Sequence, residues 1–285
     1  MITNLYEDKP TLSFEVFPPK KDGEFKKAYE VLSAMGELHP DYISVTYGAG
    51  GSRAGKTVEL ASFIQNSLGI DAIAHLTCVG SKREQLLDVY NELKAHNVNY
   101  VLALRGDRPK DMNDDQYAAR DFEHASDMMT FLKENTDLHL AGACYPEKHF
   151  ESFSMESDLN NLKKKQEAGA EFFISQLFLD NDYYYSFLEK ADKKGITAPI
   201  CAGIMPITSA KQIGTSITLS GSSVPKAMAD ILASHSDNPD DMRKAGVDYA
   251  IRQIRDLQEN GVKHIHLYSM NRPKTTSEIV AGIHR

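Results

Sequence analysis

The chain has no tryptophan, only three cysteines, no basic run longer than three residues and no apolar stretch approaching membrane-spanning length. Each absence excludes something. Cys78, Cys144 and Cys201 are odd in number, far apart and set in apolar runs, so buried free thiols in a reducing compartment are expected; a disulfide framework or zinc site is not. A net charge of −8 without a basic cluster argues against nucleic acid as a partner. Without a 20-residue apolar segment no transmembrane helix is expected. The first eight residues lack the basic and apolar regions of a signal peptide, so the expected location is the cytoplasm. An anionic ligand would have to be met by local cations or backbone N–H groups.

What is present is a regular alternation. Residues 12–17, 42–47, 72–78, 100–104, 138–145, 172–178, 199–204 and 264–268 read as eight short strands. Helical spacing lies between them, at 25–38, 57–68, 84–95, 125–132, 159–168, 183–193 and 249–259. Gly69, Gly169, Gly195 and Gly261 stand where helices should end. Eight β-then-α units within 285 residues predict an α/β fold: a single (βα)8 TIM barrel, 1–285, with a doubly wound open sheet as the alternative. The interval 208–261, punctuated by Pro225 and a polar stretch, is long enough for an extra helix in the last βα unit before strand eight.

In such a barrel the C-terminal strand ends build the site. They deliver Glu15, Thr46, His75 with Thr77, Arg105-Gly106-Asp107, Tyr145 with Glu147 and His149, Gln176, Thr208 and Tyr268 followed by Asn271-Arg272. Each has a plain reading: a satisfied core histidine, an Arg105–Asp107 ion pair, tyrosine as amphipathic filler, Lys163–Lys165 as a solvated helix face. Glu15 alone reads as an edge-strand carboxylate facing water. In a ring of polar strand ends it reads as a general acid in a dry pocket, its pKa raised by desolvation.

Two short patterns compete. Gly50-Gly51-Ser52-Arg53-Ala54-Gly55-Lys56-Thr57 matches the phosphate-loop pattern, but no apolar strand ending in a magnesium-binding Asp accompanies it. The preceding glycines half-match a dinucleotide fingerprint that lacks its last glycine. A glycine-rich rim loop accounts for both.

Ser13-Phe14-Glu15-Val16-Phe17-Pro18-Pro19-Lys20, Val45-Thr46-Tyr47-Gly48-Ala49-Gly50-Gly51-Ser52, His75-Leu76-Thr77-Cys78 and Ala103-Leu104-Arg105-Gly106-Asp107 resemble the methylenetetrahydrofolate reductase family. So do Tyr145-Pro146-Glu147-Lys148-His149, Gln176-Leu177-Phe178-Leu179-Asp180, Gly203-Ile204-Met205-Pro206-Ile207 and Tyr268-Ser269-Met270-Asn271-Arg272, in order along the chain. The length resembles the bacterial, catalytic-domain-only form. The resemblance implies a flavoprotein barrel holding FAD, with no metal. NADH or NADPH reduces the flavin and 5,10-methylenetetrahydrofolate takes the hydride, in ping-pong turnover that feeds methionine synthesis. It implies Glu15 as the acid that protonates folate N10 and Asp107 as the charge beside the pterin and flavin. It places Gln176, Gln212, Tyr268 and Arg272 on the folate. Thr46, His75, Arg105, Gly106, Asp107, Tyr145, His149, Asp158, Asn161, Lys164 and Lys165 fall at positions that line FAD. Lys164 stands where the family commonly has arginine. Ile213-Gly214-Thr215-Ser216 lacks the aromatic expected after Gln212, which leaves Phe178 as the candidate for stacking the nicotinamide nucleotide. The family also suggests a homo-oligomer.

Overall fold

Eight parallel strands pair in sequence order and the eighth closes on the first. The structure is a computed structural model and describes residues 2–7, 9–19, 21–47, 54–108 and 112–284. The strands are β1 (Thr11–Val16), β2 (Tyr42–Val45), β3 (Asp71–Thr77), β4 (Tyr100–Leu104), β5 (His139–Cys144), β6 (Ala170–Ser175), β7 (Ile200–Ile204) and β8 (His264–Tyr268). All eight lie where the apolar runs of the sequence put them. The open-sheet alternative is thereby excluded.

Around the strands run α2 (Phe25–Gly36), α3 (Ala54–Ser62), α4 (Arg83–Ala95), α5 (Asp114–Ala118), α6 (Ala125–Asn135), α7 (Met155–Glu167) and α8 (Asn181–Lys193). They follow α1 (Thr3–Tyr6) and precede α9 (Ala210–Ser220), α10 (Lys226–His235), α11 (Pro239–Glu259) and α12 (Pro273–Gly282). The interval between β7 and β8 therefore carries α9 and α10 besides the packing helix. That helix begins ten residues before the 249–259 stretch expected from the sequence, because the Asn238 side chain accepts from the N–H groups of Asp240 and Asp241 and Pro239 occupies the first turn. The four helix-ending glycines all have positive φ, as at Gly169 (107°).

Alternation splits each strand between two cores. Leu12, Phe14 and Val16 face outward into the layer beneath the helices and are fully or nearly buried. Ser13 and Glu15 face the lumen. Inside, Tyr42, Ile73, Leu102, Ala141, Phe172, Ile174 and Cys201 pack together with Ile2 and Leu5, so α1 stoppers the N-terminal end. Burying side chains of this size contributes roughly 1.5–3 kcal/mol each. At the other end Leu177, Leu179, Met205 and Ile207 pack under Met228 of α10 and Met242 of α11. This apolar roof covers the β6–β7 side of the mouth and leaves the β1–β5 side open. The three cysteines are buried and free, as expected.

Candidate active site

A cavity of about 1250 Å³ occupies the mouth. Its wall includes Glu15, Thr46, His75, Thr77, Arg105, Gly106, Asp107, Tyr145, His149, Gln176, Gln212 and Tyr268. Three strands, β1, β3 and β8, and the segments that follow the other five thus send polar side chains to one space.

Glu15 forms its floor. The carboxyl sits one residue from the end of β1, paired in register with Ser44 and Tyr268. Its side chain keeps 22% of its surface and lines the mouth cavity. Burial alone pushes its pKa up to about 8, so the acid is protonated at neutral pH. His75 Nε2 lies 3.8 Å from Glu15 Oε2, beyond hydrogen-bond range. Burial pushes the imidazole down to about 3. The two face each other as a neutral acid and a neutral base, and the close approach is not an ion pair.

Such an acid is held at the expense of stability. In the unfolded chain it titrates near 4.5, so between pH 4.5 and 8 the folded state binds more protons and stability falls as pH rises. At pH 7 the penalty is about 3 kcal/mol. Glu15→Gln is therefore expected to melt several degrees above wild type at pH 7, with the gap closing near pH 4. A gap unchanged across that range in thermal melts would contradict the raised pKa.

Other residues are fixed by their neighbours. The Tyr268 hydroxyl donates to the Ser175 carbonyl at 2.7 Å, which lays its ring across β7. There Gly203 leaves the room: a Cβ would stand 2.8 Å from Tyr268 Cε2. Gln176 accepts the Leu177 N–H at 2.9 Å through Oε1 and keeps its NH2 free among the described residues. Gly106 has φ of 78°, and its backbone presses against Thr77, with a virtual Cβ 2.7 Å from the threonine Cβ. His149 meets Tyr145 edge-on at 4.6 Å, and Lys165 Nζ lies 5.7 Å from the Tyr145 ring centroid while donating to the Ala143 carbonyl. Burial pushes the Lys165 ammonium below its ordinary value, partly offset by Asp158.

Several expectations need correction. Arg105 pairs with Glu151, not with Asp107. Asp158 does not line the cavity; it accepts from the His149 N–H and the Ser152 hydroxyl and so shapes the loop that carries His149. The lysine run divides three ways. Lys163 donates to the Gly195 carbonyl, Lys165 turns inward, and Lys164 is exposed on α7 with Asn161, neither touching the cavity wall. Gln212 lines the cavity, but its amide is engaged with Thr208 and the Pro206 carbonyl. Arg272 is exposed off the wall and donates to the Thr208 hydroxyl. Phe178 cannot stack a nucleotide: it is fully buried and stacked on Tyr184 at 4.8 Å.

The sequence reading also missed residues. Arg120 lines the cavity with its guanidinium 4.0 Å from the Tyr117 ring centroid, and Arg108 stacks from 4.9 Å. No short motif marks these, nor Glu151. Ser44 and His266, buried in the lumen, were legible from alternation with Glu15 and Tyr268.

Among the described residues the phosphate-loop pattern builds no phosphate site. Gly50–Arg53 lie outside the described residues. Lys56 Nζ donates to the Pro19 carbonyl and Thr57 Oγ1 to the Thr46 carbonyl, so both side chains are spent on the protein. Lys56→Ala is expected to leave turnover within about threefold of wild type. Loss of activity in a steady-state assay would revive the nucleotide reading.

A profile of the family described as methylenetetrahydrofolate reductase matches residues 1–284. The chain belongs to the methylenetetrahydrofolate reductase family. The 5,10-methylenetetrahydrofolate reductase of Pectobacterium carotovorum subsp. carotovorum is 32% identical over 268 residues, which span 94% of this chain and 88% of that protein. The enzyme of the same name from Escherichia coli (strain K12) is 31% identical over the same shares. Among solved structures, a Clostridium thermocellum protein that binds two copies of 5-methyl-5,6,7,8-tetrahydrofolic acid superposes with a TM-score of 0.65. At 16% identity, over 99% of this chain and 96% of that one, this likeness speaks for the fold. As a methylenetetrahydrofolate reductase the chain is an oxidoreductase of one-carbon metabolism, and its reaction is the reduction of methylenetetrahydrofolate. Among the described residues no helix is long and apolar enough to cross a membrane, and no group of His, Cys, Asp or Glu is arranged to hold a metal.

Proposed function

We propose that this chain reduces 5,10-methylenetetrahydrofolate to 5-methyltetrahydrofolate with FAD as its cofactor and NADH or NADPH as reductant. The observation that carries the reading is the floor of the cavity, where burial keeps the Glu15 carboxyl protonated at neutral pH directly beneath the open space.

The residues present fit a flavin. The cavity is larger than the ~300–1000 Å³ usual for one small ligand. His75 Nε2 is buried with no partner among the described residues, so a polar ring edge would satisfy it. Gly106, where any side chain would strike Thr77, lets the loop after β4 lie close against β3 at the cavity wall. Thr46, His75, Arg105, Gly106, Asp107, Tyr145 and His149 would hold the cofactor. Lys165 stands behind Tyr145 and Asp158 braces the His149 loop, while Asn161 and Lys164 are exposed on α7 away from the cavity wall. Arg105 and Lys165 supply positive charge in a chain of net charge −8. When bound, FAD supplies hydride chemistry, taking a hydride from the nicotinamide and giving one to the folate.

The chain's own residues do the proton and charge work. Glu15 donates its proton to folate N10, which breaks the N10–methylene bond and leaves a cationic iminium at N5. Asp107, exposed at the rim, offsets that positive charge. The free NH2 of Gln176 and the ring of Tyr268 position the pterin. Gln212 and Arg272 reach the folate only if they release Thr208, so their contribution is to the tail.

An absorption spectrum of the purified protein, with FAD added if it is colourless, tests this reading. The flavin band is expected to bleach with anaerobic NADH or NADPH and to return on adding methylenetetrahydrofolate. A band that persists with either nucleotide, or that methylenetetrahydrofolate fails to restore, refutes it.

A further inference from the structure

The lumen beneath the cavity is divided by polarity. On the β4–β7 side its walls are Leu102, Ala141, Phe172, Ile174 and Cys201. On the β8–β3 side, beside the apolar Tyr42 and Ile73, they include Ser13, Ser44 and His266, with His75 facing Glu15 at the cavity floor. Ser44 and His266 are fully buried. The Ser44 hydroxyl and the His266 Nε2 have no hydrogen-bond partner among the described residues. His266 Nδ1 is occupied by the Ser13 hydroxyl at 2.7 Å. Its ring is held between Tyr42, stacked at 6.0 Å, and Tyr268, edge-on at 5.5 Å. The free nitrogen is therefore fixed in direction.

Register brings these groups together. Ser44 is the β2 partner of Glu15, and His266 is the β8 partner of Ser13, two residues before Glu15 on the same face. On its other side His266 pairs with Gly203, which adds no side chain to the lumen. Two buried polar atoms left unpaired cost about 1–3 kcal/mol each. A buried water with two to four polar partners is the ordinary way such a cost is removed.

We propose that Ser44 and His266 hold an ordered water in the lumen beneath Glu15, and that this water hydrogen-bonds the lower carboxyl oxygen and turns the proton-bearing oxygen toward the cavity. The inference deepens the acid role proposed above and rests on it for its catalytic meaning. Ser44 and His266 are then positioning residues, acting on the folate only through Glu15. The serine hydroxyl can donate or accept, and the His266 ring takes either tautomer against Ser13, so the water satisfies both atoms without strain.

The water also affects acidity. A hydrogen bond donated to the carboxylate favours the ionised form and opposes the desolvation that raises the pKa. The titratable groups around Glu15 are His75 on β3 and Tyr268 and His266 on β8, while the adjoining β2 offers Ser44 and, deeper in the lumen, Tyr42, whose hydroxyl burial also holds well above its ordinary pKa. Both histidines are held neutral by burial, and Tyr268 by burial well above its ordinary value. None of them changes charge through the neutral range.

The test exploits the matched shapes of valine and threonine. The infrared carbonyl stretch of protonated Glu15 is identified as the band that Glu15→Gln removes, and is titrated in wild type, Ser44→Val and Ser44→Thr. Ser44→Val, which cannot bind the water, is expected to move the midpoint up by about one pH unit. Ser44→Thr, with the same volume but a hydroxyl, is expected to titrate like wild type. Equal midpoints in the two variants overturn the proposal. A diffraction map of the wild-type protein gives an answer that needs no variant: ordered density within hydrogen-bond distance of Ser44 Oγ and His266 Nε2 supports it, and an empty lumen overturns it. The titration reads the water whether or not Glu15 is the acid. Were Glu15→Gln to keep its folate half-reaction, the acid role would fall while the water site stood or fell on its own result.

Discussion

Glu15→Gln is expected to slow the folate half-reaction by about 10²–10⁴-fold while the nicotinamide nucleotide still reduces the flavin within a few-fold of the wild-type rate. Only the folate half needs a proton. Opening the five-membered ring turns N10 from a tertiary into a secondary amine, and the nitrogen must be protonated as the bond breaks. A carboxyl held near pKa 8 supplies that proton at neutral pH; an ordinary one near 4.5 would be ionised and useless. Glutamine keeps the size and hydrogen-bonding capacity but has no acidic proton. Hydride transfer from a nicotinamide to the flavin involves no such step. Rapid mixing measures the two halves separately under anaerobic conditions. Equal loss in both would mean that Glu15 shapes the site and does not act as its acid.

Gly203→Ala is the substitution with the largest expected effect on stability and folate binding together. A Cβ there would stand 2.2 Å from the Ser175 carbonyl oxygen and 2.9 Å from the Tyr268 hydroxyl. Those two atoms are hydrogen-bonded to each other. Neither can give way freely, since the carbonyl belongs to β6 and the ring is wedged against His266. Either β6 and β7 separate or Tyr268 leaves the floor. The cost is expected to be about 3 kcal/mol, lowering Tm by roughly 6–12 °C. The folate KM should rise, because the displaced ring is part of the folate face. Gly23→Ala, with no atom near its added methyl, serves as the control. A Gly203→Ala protein that melts with the control would show that the barrel opens at this seam more easily than its contacts imply.

The barrel was legible because each strand is a short apolar run between turn residues, a signal of period two that tertiary packing reinforced. The helices added between β7 and β8 were harder. Ala210–Ser220 mixes small, polar and apolar residues without a clear stripe, and the start of α11 depends on a cap at Asn238 that lies outside the periodic part. Glu15, His75, Gln176 and Tyr268 were placed correctly on the rim because alternation and the closed barrel leave them nowhere else to point. Phe178 was misread for the same physical reason that makes aromatics ambiguous: past the end of β6, alternation no longer says which way a ring turns, and here it turns under α8 onto Tyr184. Gln212 and Arg105 line the cavity as expected while Arg272 stands off its wall, and their partners Thr208 and Glu151 come from other parts of the chain and leave no trace in local sequence.

The central claim is that burial alone keeps a carboxyl on the barrel floor protonated where it is needed. The pH dependence of the folate half-reaction, followed as reoxidation of the reduced flavin in a single turnover, tests it most directly. The rate is expected to stay level through neutral pH and to fall about tenfold per unit above pH 8, where Glu15 loses its proton. A fall centred near 4.5, the ordinary carboxylate value, would contradict the account.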